Sequence, residues 1–241
     1  MTPMKIVPSP LRRLHRVLGA AAGLLLAVAA KAAPEVAVEG AEVGEWTQDY
    51  EAALALSAEE QLPVFLNFTG SDWCRWCMLM DEQVFSEPEW ERFARENLVL
   101  VTLDYPNDPT IVPEEYKDRN QELQSAYGVR ALPTYVLLEP GEETELTRLG
   151  ASDDATPDSF TDKINVALRT HPLWIERFVE EHPERAEEFL AAVEEREGKL
   201  DELEEWLRTQ PERTRANERK FENLQYEIEQ TGERINEIWE G

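Results

Sequence analysis

The order in which strand-like and helix-like segments follow one another limits this chain to few folds. "VFLNF" (Val64–Phe68) and "LVLVTLD" (Leu98–Asp104) are compact apolar runs of the kind that fill buried strands. Ahead of the first, Asp49–Gln61 carries Tyr50, Ala53, Leu54, Leu56 and Ala58 at helical spacing, and Pro63 stops it. Between the two runs, one helix starts at or just before Cys74. A second spans Glu87–Glu96, with Pro88 in its first turn, where a missing N–H costs nothing. Three prolines break "YPNDPTIVPEE" into an irregular excursion, and a short helix follows over Asn120–Gly128, closed by its glycine. "LPTYVLLEPGEETELTRLG" reads as strand, Pro-Gly turn and strand, and Pro157–Thr170 as a closing helix. Strands alternating with helices and ending in a hairpin predict an α/β sheet with helices on both faces.

Both ends of the chain differ from this middle. Lys5, Arg12, Arg13, His15 and Arg16 precede an apolar run of fourteen residues (17–30), and no acidic residue occurs before Glu35. The run is short for a membrane span. With small residues at Ala30 and Ala32 it predicts a signal peptide over 1–32, an uncleaved membrane anchor being the alternative. The expected location is therefore the periplasm or the outside of the cell. Residues 33–45 read as a linker and 46–172 as the α/β domain. Residues 173–241 form an acidic helical extension, either a helical hairpin or a coiled coil. Its heptad-like runs are Ala186, Phe189, Val193, Arg196, Leu200, Leu203, Leu207 and Phe221, Leu224, Ile228, Thr231, Ile235, Ile238. Pro211 is placed to start the second helix. Two antiparallel helices follow, closing on each other or on a second copy as a homodimer, with Arg196 and Thr231 as the polar seam positions that set register.

The formal net charge is -26, and loss of residues 1–32 would strip five cations and no anions. Such a surface repels phosphate backbones and anionic headgroups, which argues against nucleic acid and membrane surfaces as partners.

The chain has two cysteines, Cys74 and Cys77, in "SDWCRWCML". A zinc site needs four ligands, and only His15, His171 and His182 could join them, so no metal is expected. A pair buried merely as small apolar residues is the bland reading. Against it, Cys74 lies between a buried strand and the first turn of a helix, where free N–H groups and the helix dipole stabilise a thiolate. Arg75 adds a positive charge with the same sign of effect, while Asp72 opposes it. Cys74 is the candidate attacking thiol, and Cys77, one turn on, the resolving one. After export, the two would meet as a disulfide.

"VFLNFTGSDWCRWC", "YGVRALPTYVLLEPGEE" and "LGASDDATPDSFTDKI" together resemble the thioredoxin superfamily, over about Trp46–Thr170. The export signal and "FTGSDWCxWC" resemble its thiol:disulfide interchange type. The resemblance implies a four- or five-stranded sheet and a cis peptide at Leu132–Pro133 facing the cysteines. It also implies a substrate groove formed by Trp73, Arg75, Trp76, Leu132, Pro133 and Thr134, although Trp76 equally fits simple packing. The implied activity is thiol–disulfide exchange on protein thiols and disulfides. It would use the cysteine pair with no separate cofactor, and a redox partner would recycle the pair. Asn67 stands where many thioredoxins carry a buried aspartate, in structural support of the site. The loop is one residue longer through Gly70 and Ser71, and Met78 replaces a common basic residue. His171 and His182 read as surface or capping residues, and Asp104 as a strand end without a role.

Overall fold

The computed structural model describes residues 36–241; the expected signal peptide lies outside the described residues. A six-stranded sheet runs in the order β1-β2-β4-β3-β5-β6. Its strands are β1 (Val36–Ala37), β2 (Trp46–Thr47), β3 (Val64–Thr69), β4 (Val99–Asp104), β5 (Thr134–Leu138) and β6 (Glu145–Gly150). β3 pairs parallel with β4 and antiparallel with β5, and β5 pairs antiparallel with β6. The sheet exceeds the expected four or five strands because two-residue strands extend the edge beyond β4. β1 forms within the segment read as linker: two residues are too few to show a strand period of their own, yet Val36 pairs with Trp46.

Strand β3 is buried along its whole length, since helices cover both faces. Period-two alternation sorts its side chains into two different layers. Phe65 joins Trp46, Phe85, Trp90, Tyr135 and Phe160 in an aromatic layer. Val64, Leu66 and Phe68 join Val99, Val101, Leu103, Val136 and Leu138 in a mainly aliphatic one. The aromatic layer lies under α2 (Arg75–Met80), α3 (Pro88–Asn97) and α5 (Pro157–Arg169); the aliphatic layer includes Tyr50 and Ala53 of α1 (Tyr50–Glu60). α1 is capped by Asp49, whose carboxylate accepts from Ala52 N at 3.0 Å.

Three boundaries depart from expectation. Helix α2 passes into a π-helical turn at Asp81–Phe85, closed by Ser86 N donating to Asp81 O at 2.9 Å. Helix α4 spans Glu114–Ala126, not Asn120–Gly128, because the last proline of the excursion, Pro113, is its N-cap and Glu114 and Glu115 suit its positive end. The last helix begins at Arg215 rather than Pro211, since the Thr214 hydroxyl caps it by accepting from Asn217 N.

The extension contains α6 (Pro172–Glu181), α7 (Ala186–Arg208) and α8 (Arg215–Glu240). His171 caps α6, its ring nitrogen accepting from Leu173 N at 3.4 Å. α7 and α8 pack on each other, and the C-terminal part of α8 lies along α5. Arg169 of α5, 8 % exposed, donates to Asn236 Oδ1 at 2.8 Å and to Glu240 Oε1 at 3.3 Å. Asn236 in turn donates from Nδ2 to Asp162 O at 3.2 Å. Gly232 permits this approach, because a Cβ there would stand 3.1 Å from Val166 Cγ2. Of the two polar seam positions, Arg196 donates to Ile228 O at 2.6 Å and Thr231 donates to the same carbonyl at 2.8 Å. Both seam polar groups are therefore satisfied within the hairpin.

Candidate redox site

Cys74 and Cys77 form a disulfide at the start of α2. Cys74 is the N-cap, and its Sγ accepts a hydrogen bond from Cys77 N at 3.2 Å. That N–H is one of the donors a helix leaves unused at its first turn, so charge on the Cys74 sulfur after reduction would be met by a donor already aimed at it. Cys74 is 6 % exposed and Cys77 1 %, which leaves Cys74 as the sulfur an incoming group can reach.

The loop that places Cys74 is fixed at its far end. Asp104 ends β4 beside Thr69, and its carboxylate accepts from Ser71 N at 2.9 Å and Ser71 Oγ at 2.5 Å. Its burial to 6 % and its hold on the extra loop residue overturn the reading of Asp104 as a strand end without a role. Asp72 accepts from Asn107 N at 2.9 Å and Asp108 N at 2.8 Å, pinning the β4–α4 excursion against the same loop. Trp73 is half-exposed but held, its indole N–H donating to Tyr105 O at 2.7 Å. Its ring lies over Gly70, where a Cβ would meet the indole at 2.7 Å, so only glycine fits beneath it.

Arg75 and Trp76 occupy the exposed first turn of α2, and Trp76 and Met78 are 48 % and 44 % exposed. The peptide Leu132–Pro133 is cis. Thr134, immediately after it, pairs with Phe68, which places the cis bond at the end of β3 from which the cysteine loop departs. Thr134 Oγ1 donates to Ala131 O at 2.8 Å and tightens that turn. Pro133 is buried, while Leu132 and Thr134 are partly exposed. The sheet thus brings the two segments named from sequence to one edge of the molecule.

Asn67 is 5 % exposed, opposite Tyr135 on β5 and Thr102 on β4. By strand alternation Asn67 and Thr69 share the face of Phe65, the face covered by α2. Asn67 Oδ1 and Thr69 Oγ1 have no hydrogen-bond partner among the described residues. Asp81 follows Cys77 by four residues and so falls on the same side of the helix. Burial, with Asp104 adding repulsion, pushes its carboxyl up to about 6. Burial chiefly, and Asp81 second, raise the Tyr135 phenol. Asp81 escaped the sequence reading; its spacing from Cys77 was the available signal, but only packing shows the carboxyl to be buried.

A mixed sheet with helices on both faces, a Cys-x-x-Cys disulfide at a helix start and a cis-proline at the same edge define a thioredoxin-like redox domain. Residues 45–140 match the family model described as "Thioredoxin-like". The chain is 34 % identical over 125 residues to the disulfide bond reductase DsbH of Chlamydia pneumoniae, an alignment covering 52 % of this chain and 73 % of DsbH. The chain belongs to the thioredoxin superfamily. It is also 32 % identical over 119 residues to the thioredoxin-related protein DsbJ of Chlamydia pneumoniae, covering 49 % of this chain but 34 % of DsbJ. Among solved structures, a DsbH oxidoreductase aligns with a TM-score of 0.49 at 31 % identity, over 58 % of this chain and 89 % of that one.

Proposed function

We propose that this protein is an exported dithiol–disulfide oxidoreductase that reduces disulfides in polypeptide substrates, with Cys74 and Cys77 as its redox group and no separate cofactor. The observation that carries this reading is the Cys74–Cys77 disulfide capping α2 at the edge where the Leu132–Pro133 cis bond lies. The resemblance to a relative named disulfide bond reductase supports the reductive direction. The basic, apolar leader supports export, and among the described residues no helix is long and apolar enough to cross a membrane.

In the reduced protein, the Cys74 thiolate attacks one sulfur of the substrate disulfide, and the other substrate sulfur leaves as a thiolate and takes a proton. Cys77 loses its proton and attacks Cys74 Sγ. This restores the intramolecular disulfide and releases the second substrate thiol, so two electrons and two protons reach the substrate. Asp81 lies one turn beyond Cys77 on the same side of the helix, and with its carboxyl pushed up to about 6 it is the residue assigned here to receive the Cys77 proton. Asn67 cannot do so. Trp73, Arg75 and Trp76 form one wall of the substrate groove and Leu132, Pro133 and Thr134 the other. Thr134 is already paired with Phe68 and Gly150, so a substrate strand would pair just ahead of the cis bond, around Leu132. A separate redox partner must return electrons to the disulfide.

Insulin reduction in the presence of a small dithiol is the direct test. Cys74→Ser should abolish it, and Cys77→Ser should trap a mixed disulfide with substrate. Wild-type protein that neither reduces insulin nor forms the trapped species would refute the assignment. The helical extension supports a second element of the reading, an interaction role alongside the redox domain, because α7 and α8 follow that domain in the chain and leave Leu200 and Leu207 exposed.

A further inference from the structure

The hairpin of α7 and α8 changes its cover halfway along. On α7, Phe189, Val193, Leu200 and Leu207 are spaced by four and seven residues and so lie on one side of the helix. Their exposures are 0, 5, 42 and 46 % in that order. The matching side of α8 runs the other way, with Ile235 fully buried and Ile228 and Phe221 only partly so, while Leu224 between those two stays buried against α7. The cause is the reach of the neighbouring helices. Phe178 of α6 packs with Phe189, Val193, Ile235 and Ile238. α5 meets α8 through Val166 against Gly232 and Arg169 against Asn236 and Glu240. Past the Arg196–Ile228 bond the arm is two helices alone, and two helices leave the flank of their seam open.

The charges on this arm come in blocks. Glu194, Glu195, Glu197, Asp201, Glu202, Glu204 and Glu205 line α7, where Lys199 is taken up by Glu227, whereas Arg208 (paired with Glu204), Arg213, Arg215, Arg219 and Lys220 outnumber Glu212 and Glu218 around the turn into α8. In a chain of net charge -26, that turn is a local positive pole. An arm with opposite poles at either end of an exposed apolar stripe is self-complementary under a two-fold axis across it. We propose that the distal halves of two such arms pair antiparallel in a homodimer. Leu200 and Leu207 of both copies form the shared seam, and the cations at the turn of each copy lie over the α7 carboxylates of the other.

Long-range repulsion between two acidic chains is screened within about 8 Å at physiological ionic strength, whereas the paired blocks are in contact. An anionic membrane is the poorer occupant. The stripe runs along the side of the arm beside Glu197 and Glu204, which such a surface would repel, rather than across its basic tip.

Sedimentation of the full chain across a concentration series tests this, and insulin reduction measured in parallel reports the redox reading separately. The expected result is a mass twice that of one chain, falling to one for Leu200→Glu with Leu207→Glu while the helical circular dichroism persists. Arg213→Glu with Arg215→Glu should weaken the dimer at least tenfold, and adding Glu197→Arg with Asp201→Arg should restore it. A single-chain mass at every concentration, a dimer indifferent to the Leu200 and Leu207 changes, or no rescue on exchanging the charges would each overturn the proposal. So would monomeric protein that co-floats with phosphatidylglycerol vesicles through Arg213 and Arg215.

Discussion

Two of the places where this molecule buries polar groups treat them in opposite ways. Where α8 docks on α5, Arg169 meets Asn236 and Glu240, and Asn236 meets the Asp162 carbonyl. Under the redox helix, Asn67 Oδ1 and Thr69 Oγ1 lack partners among the described residues, and the Asp81 carboxyl is pushed up to about 6. Matched buried polarity fixes one arrangement against its alternatives, because breaking it leaves an unpaired group. Unmatched polarity beneath the cysteines costs stability but leaves groups free to respond as charge appears and disappears on sulfur. The docking seam is built for permanence and the redox end for change.

If that contrast holds, the docking seam is where a single truncation does most damage. Arg169→Ala removes a nearly buried guanidinium, strands Asn236 and takes away the cation over the Trp239 ring. The expected loss is about 2–4 kcal/mol, read as a lower urea midpoint. A loss within experimental error would mean the network is ornamental and the contrast is void.

Asp81→Asn should act with the opposite sign. The folded protein binds the Asp81 proton more tightly than the unfolded chain, whose carboxyl has its ordinary value of 3.8. As pH rises from about 4 to about 6 the unfolded state ionises first, so wild-type stability falls through that window and stays lowered above it. Asparagine does not titrate. The variant should therefore be more stable at pH 7 by about 1–3 kcal/mol, the difference vanishing below about pH 4. Its exchange rate should lose the inflection near pH 6. Equal stability of both proteins from pH 4 to 7 would show that this carboxyl is not held back by burial.

The same contrast explains what could be read from sequence. The buried strands, the cysteine pair and the proximal seam of the hairpin rest on local patterns of period and spacing, and the cis-proline on the family resemblance; they lie where these put them, whereas Leu200 and Leu207 of the distal seam are exposed. β1 was not legible, because a two-residue strand is made by its neighbour rather than by its own residues. Asp81 and Asp104 were not legible either. A lone aspartate on a helix or at a strand end is ordinarily solvated, and only the packing of α2 over the ends of β3 and β4 buries them. The docking of α8 was hidden for a similar reason: Arg169, Gly232 and Asn236 look like surface residues until α5 and α8 are laid together. Patterns along one element survive in the sequence, whereas polar residues that meet between elements do not announce themselves.

Asn67→Val separates cost from use at the redox end. Removing an unpaired buried oxygen should stabilise the protein by about 1 kcal/mol, since no existing bond of that oxygen is lost. If the unmatched polarity serves the sulfurs, the same variant should slow insulin reduction despite its greater stability. A variant that is more stable and equally fast would reduce Asn67 to a packing imperfection.

The smallest effect on stability is expected at Trp73, which tests the border between the two regimes. Its indole is exposed like a groove residue yet hydrogen-bonded like a structural one, through Nε1 to Tyr105 O. Trp73→Phe keeps an aromatic ring over Gly70 and deletes that bond. Because the bond is open to water, the folded protein should lose no more than about 0.5 kcal/mol. Freed from the Tyr105 carbonyl, however, the ring would no longer be held in one place beside Cys74. Insulin reduction should then fall in kcat/KM by about threefold, equivalent to about 0.7 kcal/mol of positioning, mainly through KM. A fall in stability larger than the fall in kcat/KM would place Trp73 with the docking seam, among the groups whose work is to hold the fold.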